Sequence, residues 1–143
     1  MKIYFSFSIR GARASRKNLK FVTDVMRRYG QILTEVGANE LLVDASRRGL
    51  SDKDVYERDL LWLREADVLV AEVSAPSLGV GYEVAKAEYL GKPVVCLYQE
   101  SAGRRLSAMI AGDPNITVMR YKTKEEAASH IEKFLSSVSK KKG

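Results

Sequence analysis

Short apolar runs alternate with longer amphipathic stretches along almost the whole chain, and that alternation leaves few folds open. Ile3 to Phe7, Val68 to Val73, Pro93 to Tyr98 and Ile116 to Met119 are rich in β-branched and aromatic residues, the pattern of strands buried on both faces. Gln31 to Thr34 reads as a shorter strand. Between these lie helical patterns at Ser15 to Tyr29, Ser51 to Arg64, Val80 to Leu90, Arg104 to Ile110 and Thr123 to Val138. In the first of them Leu19, Val22, Val25 and Met26 share one face. Ser51 followed by Asp54 is a capping signal, and Gly30 and Gly91 stop two helices. Gly37 to Gly49 reads as a loop with some local helix. Such alternation implies an α/β fold, a parallel sheet with helices on both faces. Right-handed crossovers put the ends of the first, third and fourth strands on one rim. Residues 1–139 are expected to form one domain, and 140–143 a frayed basic tail.

Composition narrows the partners. No run among the 143 residues approaches the ~18 apolar positions of a membrane span. The start, Met-Lys-Ile-Tyr-Phe-Ser-Phe, enters a strand pattern directly, which favours a cytoplasmic location, with the nucleus as an alternative. The single cysteine, Cys96, lies in Pro-Val-Val-Cys-Leu-Tyr and reads as a buried strand thiol. The single histidine, His130, reads as a surface helix residue and argues against a protein-only zinc site; no cofactor is expected. The net charge of +6 concentrates in residues 1–30, where eight Lys and Arg face one acid, Asp24. The aromatics are not interleaved with these bases as a stacking platform for nucleic acid requires. A single phosphorylated ligand fits the basic start as well.

Four segments carry possible chemistry. Tyr4–Phe5–Ser6–Phe7–Ser8–Ile9–Arg10–Gly11 ends a strand in small polar residues, an arginine fork and a glycine. It suits either a phosphate contact or an ordinary turn with a surface arginine. Asp59, three residues before Trp62 and beside large apolar residues, suits a general acid, or a solvated acid paired with Arg58 or Lys53. In Pro76–Ser77–Leu78–Gly79–Val80–Gly81–Tyr82–Glu83, a strand-to-helix loop precedes a carboxylate expected in or near the first helical turn. That spacing serves a phosphate cradle beside a reactive acid. A tight glycine turn with a dipole-complementing glutamate reads equally well. In Leu106–Ser107–Ala108–Met109–Ile110, Ser107 suits a cap or an anion contact, while Met109 and Ile110 suit packing on a neighbouring helix or subunit.

Together these segments resemble the 2′-deoxynucleoside 5′-phosphate N-hydrolase family, a branch of the nucleoside 2-deoxyribosyltransferase-like superfamily. The matching stretches are Tyr-Phe-x-x-Ser-Ile-Arg-Gly at 4–11, Ile-Leu-Thr-Glu at 32–35, Asp-Leu-x-Trp-Leu at 59–63, Ala-Asp-Val at 66–68, Val-Ala-Glu-Val at 70–73, Pro-Ser-Leu-Gly-Val-Gly-Tyr-Glu at 76–83 and Leu-Ser-Ala-Met-Ile at 106–110. The resemblance implies a flavodoxin-like or Rossmann-like three-layer sandwich with a five-stranded parallel sheet. It implies hydrolysis of the base–deoxyribose bond of deoxynucleoside 5′-monophosphates. Glu83 would be the nucleophile at C1′, held by the Tyr4 hydroxyl, and Asp59 the acid that protonates the leaving base. Arg10, Ser77 and Ser107 would hold the 5′-phosphate, with Ser8, Ile9, Gly11, Gly79 and Met109 as further substrate-binding positions. It also implies a homodimer in which Ser107 and Met109 reach the neighbouring site. The chain departs from the pattern over 36–54, and Val36 and Tyr56 stand where family members often carry histidine, which bears on base preference. Phe7 stands where smaller residues occur, which bears on the sugar pocket. The rivals are a deoxyribosyltransferase, a ribonucleotide (CMP-type) glycosidase and a nucleotide-binding module without chemistry.

Overall fold

The computed structural model describes residues 1–8, 16–34, 49–100 and 104–143, the side chains of 16–18 excepted. Its strands are β1 (Lys2–Phe7), β2 (Gln31–Ile32), β3 (Val68–Glu72), β4 (Val94–Gln99) and β5 (Ile116–Tyr121). Its helices are α1 (Arg16–Arg27), α2 (Asp52–Glu65), α3 (Leu78–Tyr89), α4 (Ala108–Ala111) and α5 (Lys124–Lys142). The strands form one sheet in the order β2-β1-β3-β4-β5, and every pairing is parallel. This is the flavodoxin-like order, whose connections reverse direction between β1 and β3; ligands settle beyond the strand ends at that switch point.

Alternation along the strands sorts the core into two layers. Ile3, Phe5, Val68, Val70, Val95 and Leu97 face α1 and α5. Tyr4, Leu69, Ala71, Val94 and Cys96 face α2 and α3. Phe7 stacks near Phe5, ring centroids 5.1 Å apart, on the α1–α5 side. Phe7 is not among the residues that line the Asp59–Glu83 cavity on the other face. Cys96 is fully buried, and burial pushes its thiol up to about 12, so it behaves as a small apolar side chain.

Local chemistry explains where the elements stop. β2 is shorter than the apolar pattern of 31–34. Leu33 N–H still donates to the Ile3 carbonyl at 2.8 Å. The Thr34 hydroxyl then replaces the ladder, accepting from Phe5 N–H at 3.2 Å and donating to the Phe5 carbonyl at 2.9 Å. α2 opens with the expected capping box, Ser51 and Asp54 each accepting the other's backbone N–H. α3 begins two residues earlier than expected because Ser77 Oγ accepts from Val80 N–H at 3.3 Å. It ends in a Schellman arrangement: Lys92 N–H reaches the Ala87 carbonyl, Gly91 N–H the Glu88 carbonyl, with Gly91 at φ +71. α5 runs through Lys142 rather than fraying at 140, and Lys142 Nζ pairs with Asp67. Among the described residues, no helix is long and apolar enough to cross a membrane.

Candidate active site

β1 and α3 supply the first half of the site. Tyr4 and Ser6 occupy alternate positions on the β1 face that meets α2 and α3, both almost fully buried. Ser6 Oγ donates to Glu83 Oε2 at 2.6 Å. A buried hydroxyl donating to a carboxylate is a charge-assisted bond, stronger and more directional than a neutral one. It fixes one oxygen of Glu83 at the switch point. Glu83 sits in the second turn of α3, not the first, because α3 starts at Leu78. Gly79 and Gly81 consequently lie inside the helix rather than in a tight turn. A Cβ on Gly81 would meet nothing within 4 Å, and one on Gly79 would come only to 3.9 Å from Ser77 Oγ.

α2 supplies the second half. Val55, Asp59 and Leu63 recur along one stripe of α2, and Gly79, Glu83 and Lys86 along one stripe of α3. Between the stripes lies a cavity of about 200 Å³, lined by both Asp59 and Glu83. The structure thus brings the two sequence-nominated carboxylates to one space. Asp59 is also ion-paired, as the solvated-acid reading expected: Arg58 Nε and Nη2 donate to its Oδ1 at 3.0 and 2.9 Å. The same guanidinium lies 4.6 Å from the Trp62 ring centroid, so a stacked arginine holds the acid from behind. Lys53, the other candidate partner, pairs with Glu57 instead.

The remaining nominated residues fall into three groups. Ser77 caps α3 and Ser8 follows the end of β1. Ile9, Arg10 and Gly11 lie outside the described residues. Ser107 is the N-cap of the single turn of α4 beside β5 and Met109 lies within that turn; both are exposed and neither is among the residues lining the Asp59–Glu83 cavity of their own chain. Sequence reasoning passed over Ser6, Tyr82 and Lys86. The signal for Ser6 was a lone hydroxyl two residues from Tyr4 in an apolar strand. Tyr82 and Tyr56 meet edge to face across the cavity mouth, centroids 6.4 Å apart. The hydrogen bond with Tyr82 holds the Tyr56 hydroxyl above the usual tyrosine pKa.

Residues 3–130 match the family model for nucleoside 2-deoxyribosyltransferase. The chain belongs to the nucleoside 2-deoxyribosyltransferase family. Within this family it is similar to a 5-hydroxymethyl-dUMP N-hydrolase of Mus musculus, 44% identical over 134 residues that cover 93% of this chain and 76% of the relative. It is also similar to a putative 2′-deoxynucleoside 5′-phosphate N-hydrolase of Trichoplax adhaerens, 42% identical over 137 residues, 94% of this chain and 92% of the relative. Among solved structures, the CMP N-glycosidase BcmB of Clostridium botulinum shares the fold: its TM-score is 0.67 at 14% identity, with 94% of this chain and 99% of that one covered. The nucleoside 2-deoxyribosyltransferase fold accounts for the placement of the two acids. One sits on the helix before β3 and one on the helix after it, so both converge beside the switch point.

Proposed function

We propose that this chain hydrolyses the N-glycosidic bond of 2′-deoxynucleoside 5′-monophosphates, releasing the free base and 2-deoxyribose 5-phosphate. The observation that supports this most is the shared cavity of Asp59 and Glu83, with Glu83 fixed by Ser6. The similarity to N-hydrolases of such nucleotides supports it independently.

In this reading a Glu83 oxygen bonds to C1′ as the bond from C1′ to the base nitrogen breaks. The bonding electrons leave with the base, which takes a proton from Asp59. Water then attacks C1′ of the glycosyl ester, returning a proton to Asp59 and freeing the Glu83 carboxylate. Tyr4, on the strand face of Ser6, assists in holding Glu83. Ser77 and the first N–H groups of α3 receive the 5′-phosphate together with Arg10. Binding that remote group positions C1′ over the carboxylate. A second copy of the chain contributes Ser107 and Met109. Met109 is 82% exposed, so its side chain is available to a neighbouring subunit.

A panel of deoxynucleoside and ribonucleoside monophosphates, assayed by chromatography for free base, tests the reading. Base release from at least one deoxynucleotide is expected, without need for an acceptor base. Turnover only when a second base is present, with exchange products, would replace hydrolysis by transfer. Binding without turnover of any nucleotide would favour a non-catalytic module.

A further inference from the structure

Glu72 is a further carboxylate on the same rim that the reaction leaves unused. It ends β3 in register with Phe7 of β1, on the strand face turned away from the cavity. Both of its oxygens are engaged: Oε1 accepts from Ser74 N–H at 2.7 Å and Oε2 from the Tyr121 hydroxyl at 2.5 Å. Ser74 is tied a second time, its Oγ accepting from Gln99 N–H at 2.7 Å. Val73 N–H donates to the Leu97 carbonyl and Glu100 N–H to the Tyr121 carbonyl. The carboxylate thus joins the start of the β3–α3 loop to the end of β5, and the Ser74 hydroxyl ties the same loop to the end of β4.

That loop leads directly into the site. Ser77, three residues after Ser74, caps α3; Gly79 and Glu83 follow and line the cavity. Burial raises the Glu72 pKa above the usual glutamate value, against the pull of its hydrogen bonds. Glu72 is partly buried, and its two oxygens are held by one loop and one strand end, so the carboxylate bridges the two.

We propose that Glu72 is a positioning residue: with Ser74 and Tyr121 it sets where the β3–α3 loop and the Ser77 end of α3 sit to receive the substrate's 5′-phosphate. This rests on the hydrolase reading given above. In Glu72→Gln the side-chain amide has one acceptor oxygen, so it no longer accepts on both sides as the carboxylate does. The expected result is a KM about tenfold higher for the best deoxynucleotide, with kcat within about twofold. Calorimetry with 2-deoxyribose 5-phosphate should show affinity falling by about the same factor. Tyr121→Phe keeps the ring in the core and removes one donor; it should shift both quantities in the same direction by less. A purely structural role predicts loss of active protein instead, with KM and sugar-phosphate affinity unchanged, and that result in either folded variant overturns the proposal. Wild-type protein that fails to bind 2-deoxyribose 5-phosphate also overturns it. A wild type that turns over no deoxynucleotide, yet loses sugar-phosphate affinity on Glu72→Gln, overturns the hydrolase reading and leaves the positioning role standing.

Discussion

On the α1–α5 side of the sheet, Phe5, Leu19, Met26, Ile131, Phe134 and Leu135 fill a continuous buried layer. On the α2–α3 side Tyr4, Leu63 and Leu69 are joined by Ala66, Ala71, Val80, Val84, Ala87 and Cys96, so the α3 contact itself is made by small side chains. The small side chains let α3 lie close on β1 and β3, near enough for Glu83 to reach Ser6. The cavity then opens further out, between α2 and α3. The two acids that line the cavity, Asp59 and Glu83, belong to the α2–α3 face, so kcat should respond to substitutions on that face, while the apolar layer under α1 and α5 should answer mainly in stability.

The largest separation is expected at Asp59. Asp59→Asn keeps the side-chain volume and removes the proton donor, so kcat should fall by about 10²–10⁴-fold while the melting temperature stays near wild type. A variant with normal kcat would remove Asp59 from the chemistry and leave it as the partner of Arg58. On the opposite face, Leu135→Ala should cost about 2–5 kcal/mol of stability by urea unfolding, with kcat unchanged where the protein is folded. Loss of kcat there at intact stability would break the division between the faces. Ser6→Ala should reduce kcat about tenfold, the scale of one hydrogen bond to a charged group, with a small change in stability. The smallest effect concerns pH. Burial raises the folded pKa of Glu72 above the ordinary glutamate value, so its contribution to stability is complete below the ordinary value and is lost as pH rises through the folded pKa. The stability of wild type relative to Glu72→Gln should therefore decline as pH rises out of the ordinary glutamate titration range; a rising difference would contradict the direction of that shift.

Much of the fold is legible from periodicity alone. The strands at 3–7, 68–73, 93–98 and 116–119 and the helices around them follow from apolar runs and caps, and the parallel sheet from their alternation. The errors have local causes. Thr34 continues a strand pattern but ends the ladder, because its hydroxyl satisfies Phe5. Ser77 draws α3 back over two glycines, moving Glu83 into the second turn. Lys142 extends α5 by pairing with Asp67, 75 positions away in sequence. In the site, residue pattern alone left Asp59 and Glu83 as separate acids in informative settings; only the family resemblance implied that they serve one bond, since their approach depends on two helices packing side by side. Ser6 was illegible as a partner for the same reason: a strand serine looks alike whether it faces a carboxylate or a backbone carbonyl. Glu72 reads as an ordinary strand end until the Tyr121 contact is seen.

The most direct measurement places wild type and Glu83→Ala side by side on the same deoxynucleoside monophosphate and quantifies free base by chromatography. Base release by wild type and none above background by the variant is the expected result. Equal release by the two proteins would contradict a glycosidic cleavage centred on Glu83.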